Sequence, residues 1–301
     1  MKQPQISVII LNWNRKQDTV NLIRQLKKQT FKNFEIIVVD NASTDGSAAY
    51  VKCHYSDVRL VRAKNNQALY SFSLGMKQAR GEYFVLLACD TVVPANLLAK
   101  HLEKLTNNPQ LGVSCPSTYD HSTKRYLGPN RAIKGNNKIG YQITYFDGNG
   151  IGLRRQVFEQ VGGYSQDYFI CLEELEWAVR ILSAGFKVAC FTDVKIYHKK
   201  STTAGEYRSR LGYYYVRNWI WFYLQYLPWR AILEFVKLHF GSFRAKTGAK
   251  GYFNKLDCLW GIIASFPRIS KYLWLRQPVS DSILARIKAD LFPNKGHIYV
   301  Q

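Results

Sequence analysis

The sequence lacks the patterns that mark disulfide scaffolds, zinc modules and membrane-spanning proteins. Its six cysteines are scattered and include no C-x-x-C pair, which fits reduced thiols in a cytosolic protein better than disulfides or a zinc site. No run of 18 apolar residues occurs, so no transmembrane helix is expected. The opening stretch MKQPQISVIILNWN has no charged segment followed by a long apolar run, so no signal peptide is expected.

Acidic residues are scarce, with 21 Asp and Glu against 42 Lys and Arg, which gives a formal net charge of +21. This excess indicates an anionic partner such as nucleic acid, a membrane surface or a phosphorylated substrate. A basic nucleic-acid-binding protein therefore stays a rival interpretation, although no recognised nucleic-acid module occurs. Because 47% of the 301 residues are hydrophobic, the chain can bury a core, which excludes a disordered protein.

Glycine is missing at the position where a dinucleotide-dependent dehydrogenase needs it. The apolar run ISVIIL at residues 6–11 is followed by NWNRKQ. A dehydrogenase would carry G-x-G-x-x-G there, because the backbone must approach the pyrophosphate closely. The sequence therefore argues against this class of enzyme.

Predicted strands and helices alternate over the first 120 residues. The predicted strands cover 6–11, 34–40, 58–63, 82–90 and 111–119. The predicted helices cover 18–29, 68–80 and 94–106, and another begins near residue 45 with Ser43 or Thr44 as its N-cap. This alternation indicates an α/β fold with a mixed, mostly parallel sheet flanked by helices.

The later part of the chain changes character. Residues 120–140 are polar and rich in Gly and Asn, which predicts a long surface loop. A helix is predicted over 172–185, followed by two short strands at 187–191 and 194–198. Residues 207–275 hold five of the seven tryptophans among interspersed Arg and Lys, which predicts an amphipathic helix or helical hairpin with an aromatic, basic face.

Two predicted strands end in a carboxylate, at Asp40 and at Asp90. The carboxyl ends of parallel strands meet at one edge of a sheet, where ligands bind in open α/β folds. His198 stands at the end of another predicted strand, and a carboxylate beside an imidazole suits Mg²⁺ or Mn²⁺ holding a diphosphate. A single Asp after a strand is more often a cap or turn residue, but the combination with His198 favours the ligand role.

Three glutamates, at positions 173, 174 and 176, crowd the start of the helix predicted over 172–185. Their mutual repulsion tends to raise a pKa and favours one of them as a general base. The alternative is an acidic helix N-terminus on the surface, which the helix dipole favours.

Five segments in order carry a resemblance to the family 2 inverting glycosyltransferases, which have the GT-A fold, and among them to bacterial rhamnosyltransferase-like enzymes. The segments are SVIILNWNR (7–15), IIVVDNASTDGS (36–47), GEYFVLLACDTVV (81–93), GIGLRRQVFEQVGGY with LEELEWAVRILSAGFKV (150–188), and VKIYHKKS (194–201). The resemblance implies a GT-A catalytic domain over 1–205, divided into a nucleotide-binding half (1–118) and an acceptor-side half (119–205). Residues 206–301 would form a helical region that associates with a membrane, or else one whose helices pack their aromatic side chains on the catalytic domain or on a second subunit.

The resemblance implies a donor site and a metal at the strand ends. Asp40 would accept a hydrogen bond from the donor's base, and Asp90 would hold a divalent metal, Mg²⁺ or Mn²⁺, with His198 as a second ligand. The residues implied in nucleotide-sugar binding are Asn12, Asn14, Arg15, Asp40, Asn41, Asn65 and Asp90.

The resemblance also implies an acceptor side. Glu174 falls where the family has its catalytic base, with Glu173 directly before it, and the choice between them stays open. Asp147 and Gly148 fall where the family approaches the acceptor. Arg180 would offer charge to the leaving diphosphate, or else be a salt-bridged helix arginine.

The chain departs from the family pattern at the metal motif. It reads Ala88-Cys89-Asp90, where the family carries two carboxylates or Asn-Pro-Asp, so one metal carboxylate remains. His198 and water would then assist Asp90, and Cys89 is expected to be a packed thiol. Because only one metal carboxylate remains in this motif, a catalytically inactive glycosyltransferase-like scaffold stays an alternative interpretation.

These residues predict an inverting, metal-assisted glycosyltransferase. It would move rhamnose or another hexose from a UDP- or dTDP-sugar to a glycan or lipid-linked oligosaccharide in cell-surface polysaccharide synthesis. We expect it to be a peripheral protein on the cytoplasmic face of the membrane, with no nucleic-acid partner and with its oligomeric state left open by the sequence.

Overall fold

The computed structural model of the chain describes residues 3–127, 140–199, 210–247 and 253–292. Residues 128–139, the larger part of the predicted surface loop, lie outside the described residues. The described strands are β1 (Ile6–Asn12), β2 (Phe34–Asp40), β3 (Val58–Arg62), β4 (Tyr83–Ala88), β5 (Thr91–Val92), β6 (Leu111–Asp120), β7 (Tyr141–Gln142), β8 (Ile151–Arg154) and β9 (Lys187–His198).

The described helices flank this sheet and continue beyond it. In the first 200 residues they are α1 (Lys16–Lys27), α2 (Ser47–His54), α3 (Phe72–Gln78), α4 (Leu97–Asn107), α5 (Arg155–Val161) and α6 (Glu173–Ser183). The C-terminal helices are α7 (Leu211–Tyr226), α8 (Trp229–Thr247), α9 (Lys255–Ser265), α10 (Ile269–Trp274) and α11 (Asp281–Leu291). Within the described ranges, none of them combines the length and the apolar character that a bilayer crossing requires.

The strands form one mixed sheet in the order β3-β2-β1-β4-β8-β6-β9-β5, with β7 beside β9. The first four strands of this order run parallel, as do β6 and β9, whereas β8, β5 and β7 pair antiparallel with their neighbours. This confirms the predicted α/β class with a mostly parallel sheet. The near-continuous apolar runs of β1, β2 and β4 follow from burial on both faces.

Two hydrophobic cores cover the two faces of the sheet. Val8 and Ile10 of β1 pack with the buried side of α1 in one core, while Ile9 between them packs with α3 and α6 in the other. Alternation along a strand sends successive side chains to opposite faces, so a single strand serves both cores.

Two local predictions are wrong, because the groups involved find partners that the sequence does not reveal. The helix predicted near residue 45 is present as α2, but its N-cap is Gly46 instead of Ser43 or Thr44, since the hydroxyl of Ser43 accepts hydrogen bonds from Asn12 and Asn14. The two predicted strands at 187–191 and 194–198 are one strand, β9. Its pairing with β6 shifts register where Pro116–Phe191 pairing gives way to Ser117–Lys195 pairing. The short strands β5 and β7 carry no sequence pattern that predicted them.

A third core joins the C-terminal helices to α6. Leu175 and Val179 on one side of α6 pack against aromatic side chains of α7, while Trp177 and Ile181 on its other side belong to the core beneath the sheet. The aromatic, basic face predicted for this part of the sequence is therefore wrong for α7, because its tryptophans and Arg217 are buried. Helix α6 is held between the sheet and the C-terminal helices.

The backbone just before α6 is held by Asn218 of α7. Phe169, Cys171 and Leu172 have positive φ angles of 41°, 68° and 67°, which non-glycine residues rarely adopt. The side-chain amide of the fully buried Asn218 donates hydrogen bonds to the carbonyl oxygens of Tyr168 (2.8 Å), Ile170 (2.9 Å) and Cys171 (2.7 Å). One side chain of α7 therefore fixes the turn that leads into Glu173.

Replacing this amide tests its contribution to the fold. We expect Asn218→Ala to lower the free energy of unfolding by about 2–4 kcal/mol, because it leaves buried carbonyl oxygens without their donor. Equilibrium unfolding in urea measures the change. Gln225→Ala is the matched control on the same helix, since the half-buried Gln225 amide makes no side-chain hydrogen bond to a described residue. An equal loss in both variants would contradict the assignment.

Candidate functional site

The ends of β1, β2 and β4 lie side by side at one edge of the sheet. Asn12 is in register with Asp40, and Leu11 is in register with Ala88, two residues before Asp90. Parallel pairing brings these polar groups to the same edge, where open α/β sheets bind ligands.

Asn12 is an internal support of this edge. It is buried, and its amide nitrogen donates to Asp40 Oδ1 (3.1 Å) and to Ser47 Oγ (2.7 Å), while Thr19 Oγ1 donates to Asn12 Oδ1 (2.8 Å). Asn12 therefore ties the end of β1 to β2, α1 and α2 and fixes the carboxylate of Asp40.

Asp40 and Asn14 hold the turn that follows β2. Asp40 Oδ2 accepts a bond from the backbone N–H of Ser43 (3.3 Å) and lies 3.7 Å from Nε of the exposed Arg62. Asn14, with a φ of 52°, accepts a bond from the backbone N–H of Thr44 at 2.7 Å. Asp40 thus has the turn-residue role considered above, and the loop after β1 and the turn after β2 form one connected surface.

Asn41 attaches a third loop to the same edge. Its amide oxygen accepts bonds from Ser71 Oγ (2.6 Å) and the backbone N–H of Gln67 (3.0 Å), and its nitrogen donates to Asn66 Oδ1 (2.7 Å). Asn65 is exposed at the start of this loop and accepts a bond from Gln67 Nε2 (2.9 Å). Residues 65–71 therefore border the site.

Asp90 lies at the centre of a chain of alternating charges. Its Oδ2 accepts a bond from Arg15 Nη1 (2.9 Å), and its Oδ1 lies 3.2 Å from His198 Nε2. Arg15 also binds Asp18 (2.8 Å), which Lys199 Nζ contacts at 2.7 Å. The pKa of Asp18 is lowered because these two cations outweigh the opposing effect of burial.

Backbone pairing and Asn149 position this group. Strand β5 pairs with β9, so Thr91 lies opposite His198, and the backbone N–H of Lys199 donates to the carbonyl oxygen of Asp90 at 3.1 Å. Asn149 Oδ1 accepts bonds from Thr91 Oγ1 (2.7 Å) and from the backbone N–H of Ala88 (3.0 Å). Asp90 and His198 therefore keep a fixed separation through the backbone on which they stand.

An acidic cluster of Asp147, Glu173 and Glu174 adjoins this group. Burial, followed by the charge of Glu174, raises the pKa of the buried Glu173 well above its usual range. Burial, followed by the charge of Asp147, raises the pKa of the half-buried Glu174. The pKa of Asp147 is raised by burial and by Asp90, against the opposing charge of His198. Asp147 therefore interacts electrostatically with both groups, with Asp90 and His198 on one side and with Glu174 on the other.

Gly148 closes this cluster tightly. A Cβ atom at Gly148 would lie 2.3 Å from the Tyr164 hydroxyl oxygen, so a side chain does not fit there. The backbone N–H of Gly148 faces the carboxylate of Glu174 and favours its ionised form. Burial and the nearby glutamates raise the pKa of Tyr164 well above its usual range, so its hydroxyl keeps its proton beside them.

Arg180 belongs to a different, structural arrangement. It binds Glu176 at 2.8 Å and donates to the carbonyl oxygens of Val161 and Gly163. Glu176 in turn accepts a bond from the Tyr226 hydroxyl of α7 at 2.6 Å. These contacts give Arg180 the salt-bridged role that was one of its two predicted interpretations, and they use Glu176 to dock α7 on α6.

The donor atoms of Asp90 and His198 fit part of a divalent-metal site. Asp90 Oδ1 is buried and accepts no hydrogen bond of normal geometry from a described group, although it lies 3.2 Å from His198 Nε2. Two adjacent ligands of an octahedral ion, each about 2.1 Å from it, are about 3 Å apart. In the described part of the chain, no group of three or more His, Cys, Asp or Glu is arranged to hold a metal, so phosphate oxygens and water would have to complete the shell.

Sequence reasoning missed Asp18, Lys199, Asn149 and Asn218. Asp18 follows Arg15 by one helical turn, and Lys199 directly follows His198, so proximity along the chain was the available signal for both. Asn218 interrupts an apolar aromatic run, which marks a buried polar residue but does not reveal what it binds.

The titration of His198 tests the arrangement around Asp90. Burial lowers the pKa of His198, but the carboxylates of Asp90 and Asp147 outweigh it, so the pKa of His198 is raised. Because a carboxylate favours the protonated imidazole, we expect Asp90→Asn to lower this pKa in metal-free protein. Chemical-shift titration of the imidazole by NMR measures it. Asp57→Asn, at an exposed surface pair with Lys27, should leave it unchanged, and an unchanged value in Asp90→Asn would contradict the contact.

Comparison with known proteins gives the family. Residues 7–162, just over half of the chain, match the sequence profile described as Glycosyl transferase family 2. O-antigen biosynthesis protein RfbC of Myxococcus xanthus is 24% identical over an alignment of 226 residues, and the match covers 66% of this chain and 18% of that protein. O-antigen chain rhamnosyltransferase WbaN of Salmonella anatum is 22% identical over 191 residues, covering 59% of this chain and 60% of that protein. The chain thus spans less than two thirds of either relative.

Two solved structures share the fold at low sequence identity. Mannosyltransferase PcManGT from Pyrobaculum calidifontis, in complex with GDP-Man and Mn²⁺, has a TM-score of 0.61 and 16% identity over 97% of this chain and 88% of its own. GalNAc-T7 with UDP, GalNAc and Mn²⁺ has a TM-score of 0.64 and 15% identity over 97% of this chain and 58% of its own. With the profile match, these likenesses confirm the predicted resemblance: the chain belongs to glycosyl transferase family 2 and has the GT-A fold.

Proposed function

We propose that this chain is an inverting glycosyltransferase that moves a hexose, such as rhamnose, from a nucleotide-diphosphate sugar to a hydroxyl of a glycan or lipid-linked acceptor. The proposal rests mainly on one observation: a group of paired positive and negative charges lies next to a group that contains acidic residues only. The chain of paired ions around Asp90 adjoins the like-charged cluster of Asp147, Glu173 and Glu174. The first suits a diphosphate, and the second suits removal of a proton from an acceptor.

The donor side is assigned to the edge formed by β1, β2 and the loop after β3. Asp40 and Asn41 would accept hydrogen bonds from the base, and the loop that holds Asn14 and Arg15 would border the ribose and phosphates. Asn65 would lie at the rim of this surface. A UDP- or dTDP-sugar is the proposed donor, since either base offers an N–H that the carboxylate of Asp40 can accept.

Asp90 and His198 would hold the divalent metal, Mg²⁺ or Mn²⁺. A bound metal supplies positive charge to the departing diphosphate. Arg15 and Lys199 add fixed positive charge beside Asp90, with their own positions held by Asp18. This fixed charge is a physical reason why one metal carboxylate is enough where the family pattern has two.

Glu174 is the better candidate for the base. Glu173 is buried, its Oε2 accepts no hydrogen bond from a described group, and burial followed by the charge of Glu174 raises its pKa well above the usual range. Glu174 is half-buried and is stabilised in its ionised form by the backbone N–H of Gly148. Burial and the charge of Asp147 raise the pKa of Glu174 to about 8, near the neutral range where a general base works best.

The reaction then follows from these positions. The acceptor hydroxyl oxygen attacks the anomeric carbon from the side opposite the diphosphate, and Glu174 takes the hydroxyl proton as the new bond forms. The bond between the anomeric carbon and the phosphate oxygen breaks, and its electron pair leaves with the nucleoside diphosphate. Asp147 and Gly148 would border the acceptor. Attack from the opposite face inverts the anomeric configuration.

The acceptor and the setting follow from the relatives and from the charge. RfbC and WbaN are named for O-antigen biosynthesis, which supports cell-surface polysaccharide synthesis at the cytoplasmic face of the membrane. In this proposal residues 1–118 bind the nucleotide, 119–205 face the acceptor, and 206–301 form the helical region that contacts the membrane. A catalytically inactive scaffold is the alternative that the thinned metal motif favours, and nucleotide binding separates the two.

Calorimetric titration of UDP and dTDP tests the donor site. We expect Mn²⁺-dependent binding of at least one of the two, and a loss of affinity of at least about tenfold in Asp90→Ala, because the metal loses its carboxylate ligand. Asp57→Ala is the matched control, since it removes an exposed carboxylate at the start of β3, whereas the donor edge lies at the other end of that strand, where Arg62 pairs with Asp40. No nucleotide binding under any condition would reject the proposal and favour the scaffold.

Paired glutamate variants test the base. We expect Glu174→Gln to lower kcat by about 10²–10⁴-fold while nucleotide affinity is kept, because a general base is lost without a change in the donor site. Glu173→Gln should have a much smaller effect, since the amide mimics the protonated carboxyl. Rates are measured as UDP or dTDP released per enzyme in the presence of acceptor. The opposite order of effects would assign the base to Glu173.

A further inference from the structure

Helix α9 has large apolar side chains on the side that faces solvent. Leu256, Leu259, Trp260 and Ile263 recur at the spacing of one helical face, and they are 65%, 53%, 60% and 47% exposed. Phe266 and Trp274, in the segment that follows, are 62% and 85% exposed. We call these six side chains the outer face. A soluble monomer rarely leaves a contiguous apolar surface of this kind uncovered.

The side of α9 that faces the protein interior explains why its large apolar side chains face solvent. The buried residues are small, namely Cys258, Gly261 and Ser265, and they contact α7. A Cβ at Gly261 would lie 2.4 Å from the carbonyl oxygen of Tyr213, so the two helix backbones approach closely and leave no space for larger side chains between them. In α9 the small side chains therefore face the protein interior and the large apolar ones face solvent, which is the reverse of a usual amphipathic helix. The exposure of the outer face follows from this close packing on α7.

The C-terminal region that contains the outer face has an excess of positive charge. Residues 206–301 contain 15 Lys and Arg against 5 Asp and Glu, and the whole chain carries +21. On α9 itself the exposed Lys255 and the half-buried Asp257 stand on either side of Leu256 in the sequence. A surface that combines exposed Trp, Leu and Ile with excess positive charge is typical of helices that lie in the headgroup region of an anionic bilayer.

We infer that the outer face is the membrane-contact surface of this protein and that its occupant is an anionic lipid bilayer. Tryptophan side chains favour the interface between headgroups and acyl chains, and the net charge is attracted to acidic headgroups. The same charge opposes the main alternative, because two copies of a +21 chain repel each other when their outer faces meet. The lipid surface therefore satisfies both the apolar and the charged character of this region.

The segment that carries Phe266 and Trp274 is connected by ion pairs and a hydrogen bond to the residues that precede the candidate base, Glu174. Arg268 and Lys271, between Phe266 and Trp274, both bind Asp167, and Tyr272 of the same segment donates to Asp167 at 2.9 Å. Asp167 stands just before the turn that Asn218 holds and that leads into Glu173. A bilayer on the outer face would therefore have a fixed orientation relative to α6. The orientation relative to α6 rests on the proposed function. Lipid binding gives a defined surface to the membrane contact proposed for residues 206–301, and it can be tested without sugar transfer.

Vesicle co-sedimentation of the full chain tests the inference. We expect binding to vesicles of phosphatidylcholine and phosphatidylglycerol in equal amounts, weaker binding in high salt, and little binding to phosphatidylcholine alone. The double variant Leu259→Glu, Trp260→Glu should lower the ratio of bound to free protein by about tenfold or more, because it removes two apolar contacts and adds two repelled charges. Trp274→Glu, at an 85% exposed side chain, should lower it with no effect on packing.

The matched control adds the same charges elsewhere. Asn107→Glu, Gln110→Glu introduces two carboxylates at exposed positions of the nucleotide-binding half and should bind vesicles nearly as well as wild type. Equal loss in the control would assign the effect to net charge and overturn the inference. Unchanged vesicle binding in the outer-face variants also overturns it, and a dimer-to-monomer shift of those variants in light scattering would then identify a second copy as the occupant.

The outcome is separable from the proposed function. UDP or dTDP affinity, measured by calorimetry on the outer-face variants, should equal that of wild type because the donor edge lies in the other half of the chain. Vesicle binding without nucleotide binding would keep the inference and reject the glycosyltransferase proposal. Nucleotide binding, together with vesicle binding that does not depend on the outer face, would keep the glycosyltransferase proposal and reject the membrane-contact inference.

Discussion

The parallel pairing of β1 with β2 and β4 is the constraint on which the rest of the site depends. It sets Asn12 beside Asp40 and brings the residues after β4 to the same edge. Both faces of these strands are buried, so a slip of one residue would turn every apolar side chain away from its core. Because the strands cannot shift, the loops that follow them can carry polar groups in fixed positions, and Asn12 then joins those loops by hydrogen bonds.

The two halves of the site solve the problem of buried charge in different ways. Around Asp90 each ion is paired with one of opposite sign, since Arg15 contacts one carboxylate oxygen and His198 the other. Around Glu173 the neighbours are also acidic, and burial together with the charge of Glu174 raises the pKa of Glu173 well above the usual range. In the proposed function the first half offers fixed positive charge to a diphosphate, and the second keeps a carboxylate whose proton affinity is high enough for it to act as a base.

The C-terminal helices are part of this arrangement. Asn218 fixes the backbone before α6, and Tyr226 binds the Glu176 that holds Arg180. The third core fills the space between α6 and these helices with aromatic side chains. The same group of helices presents the outer face to solvent, because the small residues around Gly261 leave only the far side of α9 for large apolar ones. The C-terminal helices thus support α6 on their inner side and expose apolar side chains on their outer side.

The sequence by itself determined the α/β class, the strand end at Asp40 and the family, because apolar periodicity and ordered motifs are local properties that an unfolded chain already displays. The strand predicted to end at Asp90 ends at Ala88 instead, and Asp90 lies in the turn before β5. The sequence did not determine that β9 is one strand, that Arg180 is held by Glu176, or that the aromatic helix α7 is buried. Those outcomes depend on which side chains meet across distant parts of the chain. Burial, ion pairing and the raised pKa of Glu174 exist only once these parts are packed together, so the tertiary structure alone decided them.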